Sequence, residues 1–212
     1  YCRGSREFAV MRKAVLVLKM ADSVPYMEDA EYIGVDAGAL VCMKQHIPMK
    51  YAVGDFDSVS EAEWDKIRMN VEHIEKLNPV KDDSDSEHAI KEAVDQGYEE
   101  ILVYGALGGR VDHELVNIRL AFKYPNIVRL IGDKNVVYAV KEGKYTFKKK
   151  KRQFISFFTD SQARITLEGF KYAIAHRDIY YTDTYTVSNE VEASQARLIV
   201  EKGTVCIIES SD

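Results

Sequence analysis

Cysteine is scarce: three residues among 212, at Cys2, Cys42 and Cys206. Cys42 and Cys206 lie far apart inside apolar stretches, which fits neither a disulfide framework nor a thiolate metal site, so a reducing cytoplasm is the expected setting. No apolar run approaches the roughly 20 residues of a membrane span, and no secretory signal pattern is visible, so no membrane partner is expected. Positive charge is also short. A formal net charge of -5 argues against a general binder of nucleic acid or membrane surfaces, which needs a net or segregated positive field. The exception is "KKKKR", Lys148 to Arg152; it follows a Glu142-Gly143 turn signal and reads as a solvated strand end. The five histidines are scattered, which excludes the close pair of a zinc hydrolase. A Gly-Lys-Ser/Thr phosphate loop is absent. A calcium loop on "DSDSEH" would need Gly at His88 and Glu at Val94, and is rejected.

What remains is a chain with 46% hydrophobic residues, enough for one large domain or two small ones. Residues 1–10, "YCRGSREFAV", precede Met11, read as an expression-vector remnant and are set aside. Short strands are expected at "KAVLVLK", "EYIGVD" and "KYAVGD". Ser60 and Glu63 form a capping-box pattern ahead of "WDKIRM". "DSEHAIKEAVDQG" predicts a helix stopped at Gly97, and "EEILVYG" the next strand. Val111, Leu115, Ile118 and Phe122 fall at helical spacing and predict an amphipathic helix with that stripe facing the core. Repeated strand-then-helix order implies a parallel sheet covered by helices.

Beyond about Ile131 the pattern changes. "NVVYAV", "KYTFK", "FISFF", "RITLEG" and "ARLIVEKGTVCIIES" are short β-rich runs between turn signals, as in an antiparallel sandwich or barrel. The expected architecture is α/β over 11–131 followed by all-β over 132–212.

The chemistry concentrates at predicted strand ends and helix starts, where parallel α/β sheets bind ligands: "VDAGA", "GDFDS", "KDDSD" and "GALGGRVDH". Taken singly, each has an ordinary explanation as a cap or turn. Together they point further. Asp55 and Asp57 flank one phenylalanine, and two unit charges about 4 Å apart repel by roughly 4 kcal/mol at an effective dielectric of about 20. Asp55, Asp57 and Asp85 offer the hard oxygens that Mg2+ takes when it arrives with substrate phosphates. Lys81, Arg110 and the N–H groups around Gly108-Gly109 are candidate phosphate donors. "DFD" is also similar to the acidic pair of metal-dependent glycosyltransferases. A nucleotide-sugar transferase therefore stays open, as does a non-enzymatic sensor that only binds a nucleotide.

In combination these residues resemble the thiamine pyrophosphokinase family. The matching stretches are Asp36 to Ala39, Gly54 to Ser58, Asp82 to Asp85, Gly108 to His113, and Ser188-Asn189 within "TYTVSNE". The resemblance implies a Rossmann-like α/β nucleotide-handling domain, a β-sandwich thiamine-binding domain, and a homodimer with active sites at the subunit interface. It also implies transfer of a diphosphoryl group from Mg·ATP to the thiamine hydroxyl, with AMP as by-product. Asp55, Asp57, Asp85 and Arg110 would then be catalytic, the three aspartates holding Mg2+. Asp36, Lys81, Ser84, Gly109, Asp112, His113, Ser188 and Asn189 would contact ATP or thiamine. Two departures stand out: "LKMADS" where the family often has a Gly-rich turn after the first strand, and Glu190-Val191-Glu192 after Ser188-Asn189 where a bulky apolar residue is expected.

Overall fold

A computed structural model describes residues 11–78, 83–151 and 153–212. In chain order the first part runs β1 (Lys13–Val17), β2 (Ala30–Val35), α1 (Gly38–Lys44), β3 (Tyr51–Gly54), α2 (Glu61–Asn70), β4 (Ile74–Lys76), α3 (Asp85–Asp95), β5 (Glu100–Tyr104), α4 (Val111–Lys123) and β6 (Val128–Ile131). The second part is all strand: β7 (Asn135–Val140), β8 (Gly143–Lys148), β9 (Gln153–Phe158), β10 (Gln162–Glu168), β11 (Ile174–Tyr180), β12 (Gln195–Lys202) and β13 (Val205–Ser211).

Strands β4-β3-β2-β1-β5-β6 pair in parallel. Helices cover both faces, which is why β1 reads as an unbroken apolar run. Ala14 and Leu16 face a core with Ala89, Ile90 and Ala93 of α3 and Leu120 of α4. Val15 and Val17 face the opposite one, with Cys42 of α1. The predicted capping box is present: Ser60 Oγ accepts from Glu63 N, and Glu63 Oε2 accepts from Ser60 N at 2.8 Å. Helix α3 ends before Gly97, whose φ of 81° suits glycine.

The sheet does not stop at β6. Strand β7 turns back antiparallel on β6, with Leu130 opposite Val137, and β13 and β9 extend the same sheet to nine strands in the order β4-β3-β2-β1-β5-β6-β7-β13-β9. A second antiparallel sheet, β11-β10-β12-β8, packs on its outer part. The sandwich core between them holds Ile155, Phe157, Ile165, Leu167, Leu198 and Ile207. Phe147, Phe157 and Phe170 meet there at 5.4 to 6.4 Å, two of the three pairs edge to face. Strands β7 and β13 serve two cores at once, because Val137, Ala139 and Cys206 point to the α4 side and Tyr138, Val140 and Ile207 to the sandwich side. The β-rich half is thus an antiparallel sandwich, one layer of which continues the parallel sheet.

One expectation is corrected on α4. Val111 is 78% and Leu115 50% exposed, while Asn117, Leu120 and Ala121 are buried, and Ile118 and Phe122 pack at the edge of the core. The start of the helix is therefore exposed, and its second half carries the contacts with the core. Helix α1, the short β4 and the polar strand β11 carry no period long enough to be read from sequence. Lys148 to Lys151 are exposed, as expected of a solvated strand end. Cys42 and Cys206 are free, buried thiols, each pushed up to about 12 by burial. Among the described residues, no helix is long and apolar enough to cross a membrane.

Candidate active site at the carboxyl ends of the parallel strands

Asp36 follows β2, Asp55 follows β3, Asp85 opens α3, and the glycine stretch 105–109 links β5 to α4. All therefore lie at the carboxyl side of the parallel strands. Asp36 N donates to Val53 O at 2.8 Å, extending the β2–β3 ladder and bringing the first two motifs together. Both loops are tightly bent, with φ of 50° at Asp36 and 58° at Phe56, conformations that persist only when the surroundings fix them. Gly54 has φ of 155°, and a Cβ there would lie 2.9 Å from Asp36 Cα. A glycine is what lets the two loops touch. Phe56 is buried against Trp64 of α2, so its neighbours Asp55 and Asp57 are turned away from that core.

The carboxylates repel as their gathering requires. Asp57 holds its proton above the usual carboxylate range, chiefly because of Asp55, with lost hydration and the charges of Asp36 and Asp85 adding to it. Asp55 Oδ1 accepts from Asp57 N at 3.1 Å, and Asp36 Oδ2 accepts from Ser58 Oγ at 2.5 Å. Asp36 Oδ1 is buried and accepts no hydrogen bond among the described residues. Asp57 lies in electrostatic reach of the other three carboxylates, and one oxygen of Asp36 is orphaned; such hard oxygens suit a divalent cation, though no three of these aspartates bring ligand atoms within 4.8 Å of one another.

On the same strand-end side, but lined by none of these four aspartates, a crevice of about 540 Å³ opens at the ends of β1, β5 and β6, lined by Met20, Asp22, Ser23, Gly105, Gly108 and Gly132. It lies where the strand order reverses on either side of β1 and β5, the usual ligand position in such sheets. "LKMADS" forms one wall of it, in place of a glycine-rich turn. Gly105, with φ of 78°, packs so closely on Ala21 N that a Cβ would come within 2.5 Å.

Ser84 is the N-cap of α3, its Oγ accepting from Glu87 N at 3.2 Å and lying 3.1 Å from Ser86 Oγ. Arg110 is exposed and bound to Asp112 through two hydrogen bonds, of 3.1 and 2.6 Å. That bidentate pairing, first among its causes, holds the Asp112 carboxyl below the usual range. His113 is exposed on the first turn of α4, and its ring makes no hydrogen bond among the described residues. Lys81 and Asp82 lie outside the described residues.

Ser188 and Asn189 are elsewhere. Asn189 bridges Ile155 of β9 through hydrogen bonds of 2.8 and 3.0 Å, and Ser188 N donates to Ser156 Oγ at 3.0 Å. From β3 to β9 the sheet takes seven inter-strand steps, roughly 30 Å at the usual spacing. Ser188 is exposed with φ of 53°. The Asn189 side chain is buried and engaged, accepting from Tyr172 N and Glu190 N and donating to Tyr172 O. It holds the loop that presents Ser188.

Two residues of this region escaped the sequence reading. Ser58 is inside a quoted motif and orients Asp36. Glu114 accepts hydrogen bonds from both Gly108 N and Gly109 N, the latter at 2.9 Å. An acidic residue one turn past a glycine pair is the only trace it leaves in sequence.

This fold, with an acidic cluster and a crevice at the carboxyl ends of its parallel strands, is that of an α/β enzyme. Two family models match the chain: the thiamin pyrophosphokinase catalytic domain over residues 26–131 and the thiamin pyrophosphokinase vitamin B1 binding domain over 144–205. Thiamine pyrophosphokinase of Bacillus subtilis is 33% identical over 191 residues, covering 87% of this chain and 89% of that protein. A crystal structure of the Bacillus subtilis enzyme superposes with a TM-score of 0.85 at 30% identity, covering 95% of this chain and 99% of the other. One of a thiamin pyrophosphokinase family protein from Enterococcus faecalis gives 0.83 at 28% identity, covering 95% and 99%. The chain belongs to the thiamin pyrophosphokinase family, and its activity is that of a thiamine pyrophosphokinase. The glycosyltransferase and sensor readings are disfavoured.

Proposed function

We propose that the chain transfers the diphosphoryl group of ATP to the hydroxyl of thiamine, giving thiamine diphosphate and AMP. The observation that carries this reading is the set of like charges that Asp36, Asp55 and Asp85 impose on Asp57 at the carboxyl ends of the parallel strands. Asp55, Asp57 and Asp85 suit Mg2+ by donor type and by the like charges that Asp57 feels. When bound, the ion neutralises polyphosphate charge. Asp36 and Asp112 orient the nucleotide or its bound water, and the chain divides at 131/132 into a Rossmann-like nucleotide part and a thiamine-binding sandwich. Arg110, Lys81, Ser84, Gly109 and His113 surround the phosphates, with Arg110 exchanging Asp112 for a phosphate oxygen. The thiamine oxygen attacks the β-phosphorus, the bond from that phosphorus to the oxygen bridging it to the α-phosphorus breaks, and AMP leaves. A carboxylate of the cluster takes the hydroxyl proton late in transfer. Thiamine is a cation, which suits an acid-rich cleft.

Ser188-Asn189 lies too far from the aspartates in one chain to meet the same small substrate. We therefore place thiamine between the aspartates of one subunit and the Ser188 loop of its partner, in a two-fold homodimer. The buried free thiols suit a reducing cytoplasm. Product analysis tests the reading: thiamine, ATP and Mg2+ should yield AMP and thiamine diphosphate in equal amounts. ADP with thiamine monophosphate would make it an ordinary kinase and refute the proposal.

A further inference from the structure

A second group of ligand atoms stands apart from the aspartates. His88 and Glu92 lie four residues apart on one face of α3, and Glu75 projects from β4 beside them. His88 Nε2 is 3.0 Å from Glu75 Oε1, and donor atoms of all three residues fall within 4.8 Å of one another. Glu92 Oε1 accepts from Gln96 Nε2 at 2.8 Å, whereas Glu92 Oε2 is shielded from water and accepts no hydrogen bond among the described residues. Burial, and then the neighbouring Glu75, raise the Glu92 carboxyl above its ordinary range. Two carboxylates have been pressed together with one imidazole between them, His73 being a further positive neighbour of Glu75 when protonated.

We propose that Glu75, His88 and Glu92 bind a first-row divalent transition-metal ion of the Zn2+ type at a site separate from the aspartates. A mixed imidazole and carboxylate set favours such an ion over Mg2+ or Ca2+, which prefer oxygen alone. Donors each about 2.1 Å from one ion sit roughly 3 to 4 Å apart, so the present spread closes by small side-chain rotations. Two carboxylates and one divalent ion, with His88 neutral, make the half-buried set neutral. The ion has a structural role: it ties edge strand β4 to α3 across the 77–84 connection, whose far end presents Ser84 and Asp85. The inference rests on none of the substrate assignments above.

The test is calorimetric titration of the full chain with Zn2+, in wild type, Asp57→Asn, His88→Ala and Glu92→Gln, each checked for folding by circular dichroism. Glu92→Gln is isosteric and relieves the carboxylate repulsion, so it keeps the fold even if His88→Ala does not. One Zn2+ should bind wild type and Asp57→Asn alike, with affinity at least tenfold lower in both cluster variants. Co2+ in its place should give a visible absorption band that disappears in His88→Ala. Absence of binding to wild type would mean that a shared proton, not a cation, holds the pair, and would overturn the proposal. Loss of binding in Asp57→Asn, or unchanged binding in either cluster variant, would overturn it equally.

Discussion

Glu114 Oε1 accepts the backbone N–H of Gly109 at 2.9 Å and that of Gly108 as well. A carboxylate of α4 thus occupies the pair of donors that the phosphate reading assigns to ATP. Backbone N–H groups converging at a helix start favour an anion of either kind. Glu114→Gln keeps a carbonyl acceptor for the loop but removes the competing charge. If charge assistance is worth about 1 kcal/mol, the KM for ATP should fall roughly fivefold with kcat nearly unchanged. A higher KM would show that Glu114 shapes the loop and does not compete with phosphate.

Asp57→Asn and Asp85→Asn should each lower turnover at least a hundredfold at saturating Mg2+ while leaving the circular dichroism spectrum intact. Near-normal turnover in both would refute the metal assignment.

The same repulsion predicts a pH signature in the ligand-free protein. Asp57 binds its proton more tightly folded than unfolded, so the folded state carries the extra proton in the window opening at the unfolded value. Stability then falls as pH rises through that window. Asp57→Asn should therefore melt above wild type at pH 7, and the gap should shrink as pH falls through the raised folded value and close by about pH 4, the unfolded value. Scanning calorimetry at several pH values reads this; a constant gap would mean that Asp57 feels no like charge.

Asn189→Ala strips the buried link to Tyr172 and Glu190. Leaving those backbone groups unsatisfied costs about 1 to 3 kcal/mol, which lowers the melting temperature by roughly 2 to 10 °C in a chain of this size. An unchanged melting temperature would mean that Asn189 is not a structural pin, leaving only the ligand contact.

The shared-site arrangement makes a quantitative prediction. With Asp57→Asn and a bulky replacement of Ser188 each inactive alone, refolding their mixture gives about half mixed dimers by random pairing, each with one intact site. Activity should recover to roughly a quarter of wild type. No recovery, with mixed dimers confirmed by mass spectrometry, would confine each site to one chain.

Local chemistry made much of this protein readable in sequence. Apolar runs gave β1, β2, β3 and β5, the Ser60–Glu63 pair opened α2, Gly97 closed α3, and "GDFDS" and "GGRVDH" marked strand ends, because periodicity, caps and turn residues act within a few positions. Sheet neighbours are chosen across the whole chain, and there only tertiary structure decided. It placed β13 between β7 and β9, and let β7 turn back on β6 so that one sheet passes from the parallel region into the sandwich. It left Val111 and Leu115 exposed at the start of α4, whatever their spacing. It brought Glu114 back to Gly109, and Glu75 to His88 and Glu92, through contacts that no spacing announces. It set Ser188 seven strands away from Asp55, since the order of strands in a sheet depends on how all of them share two cores and not on any segment alone.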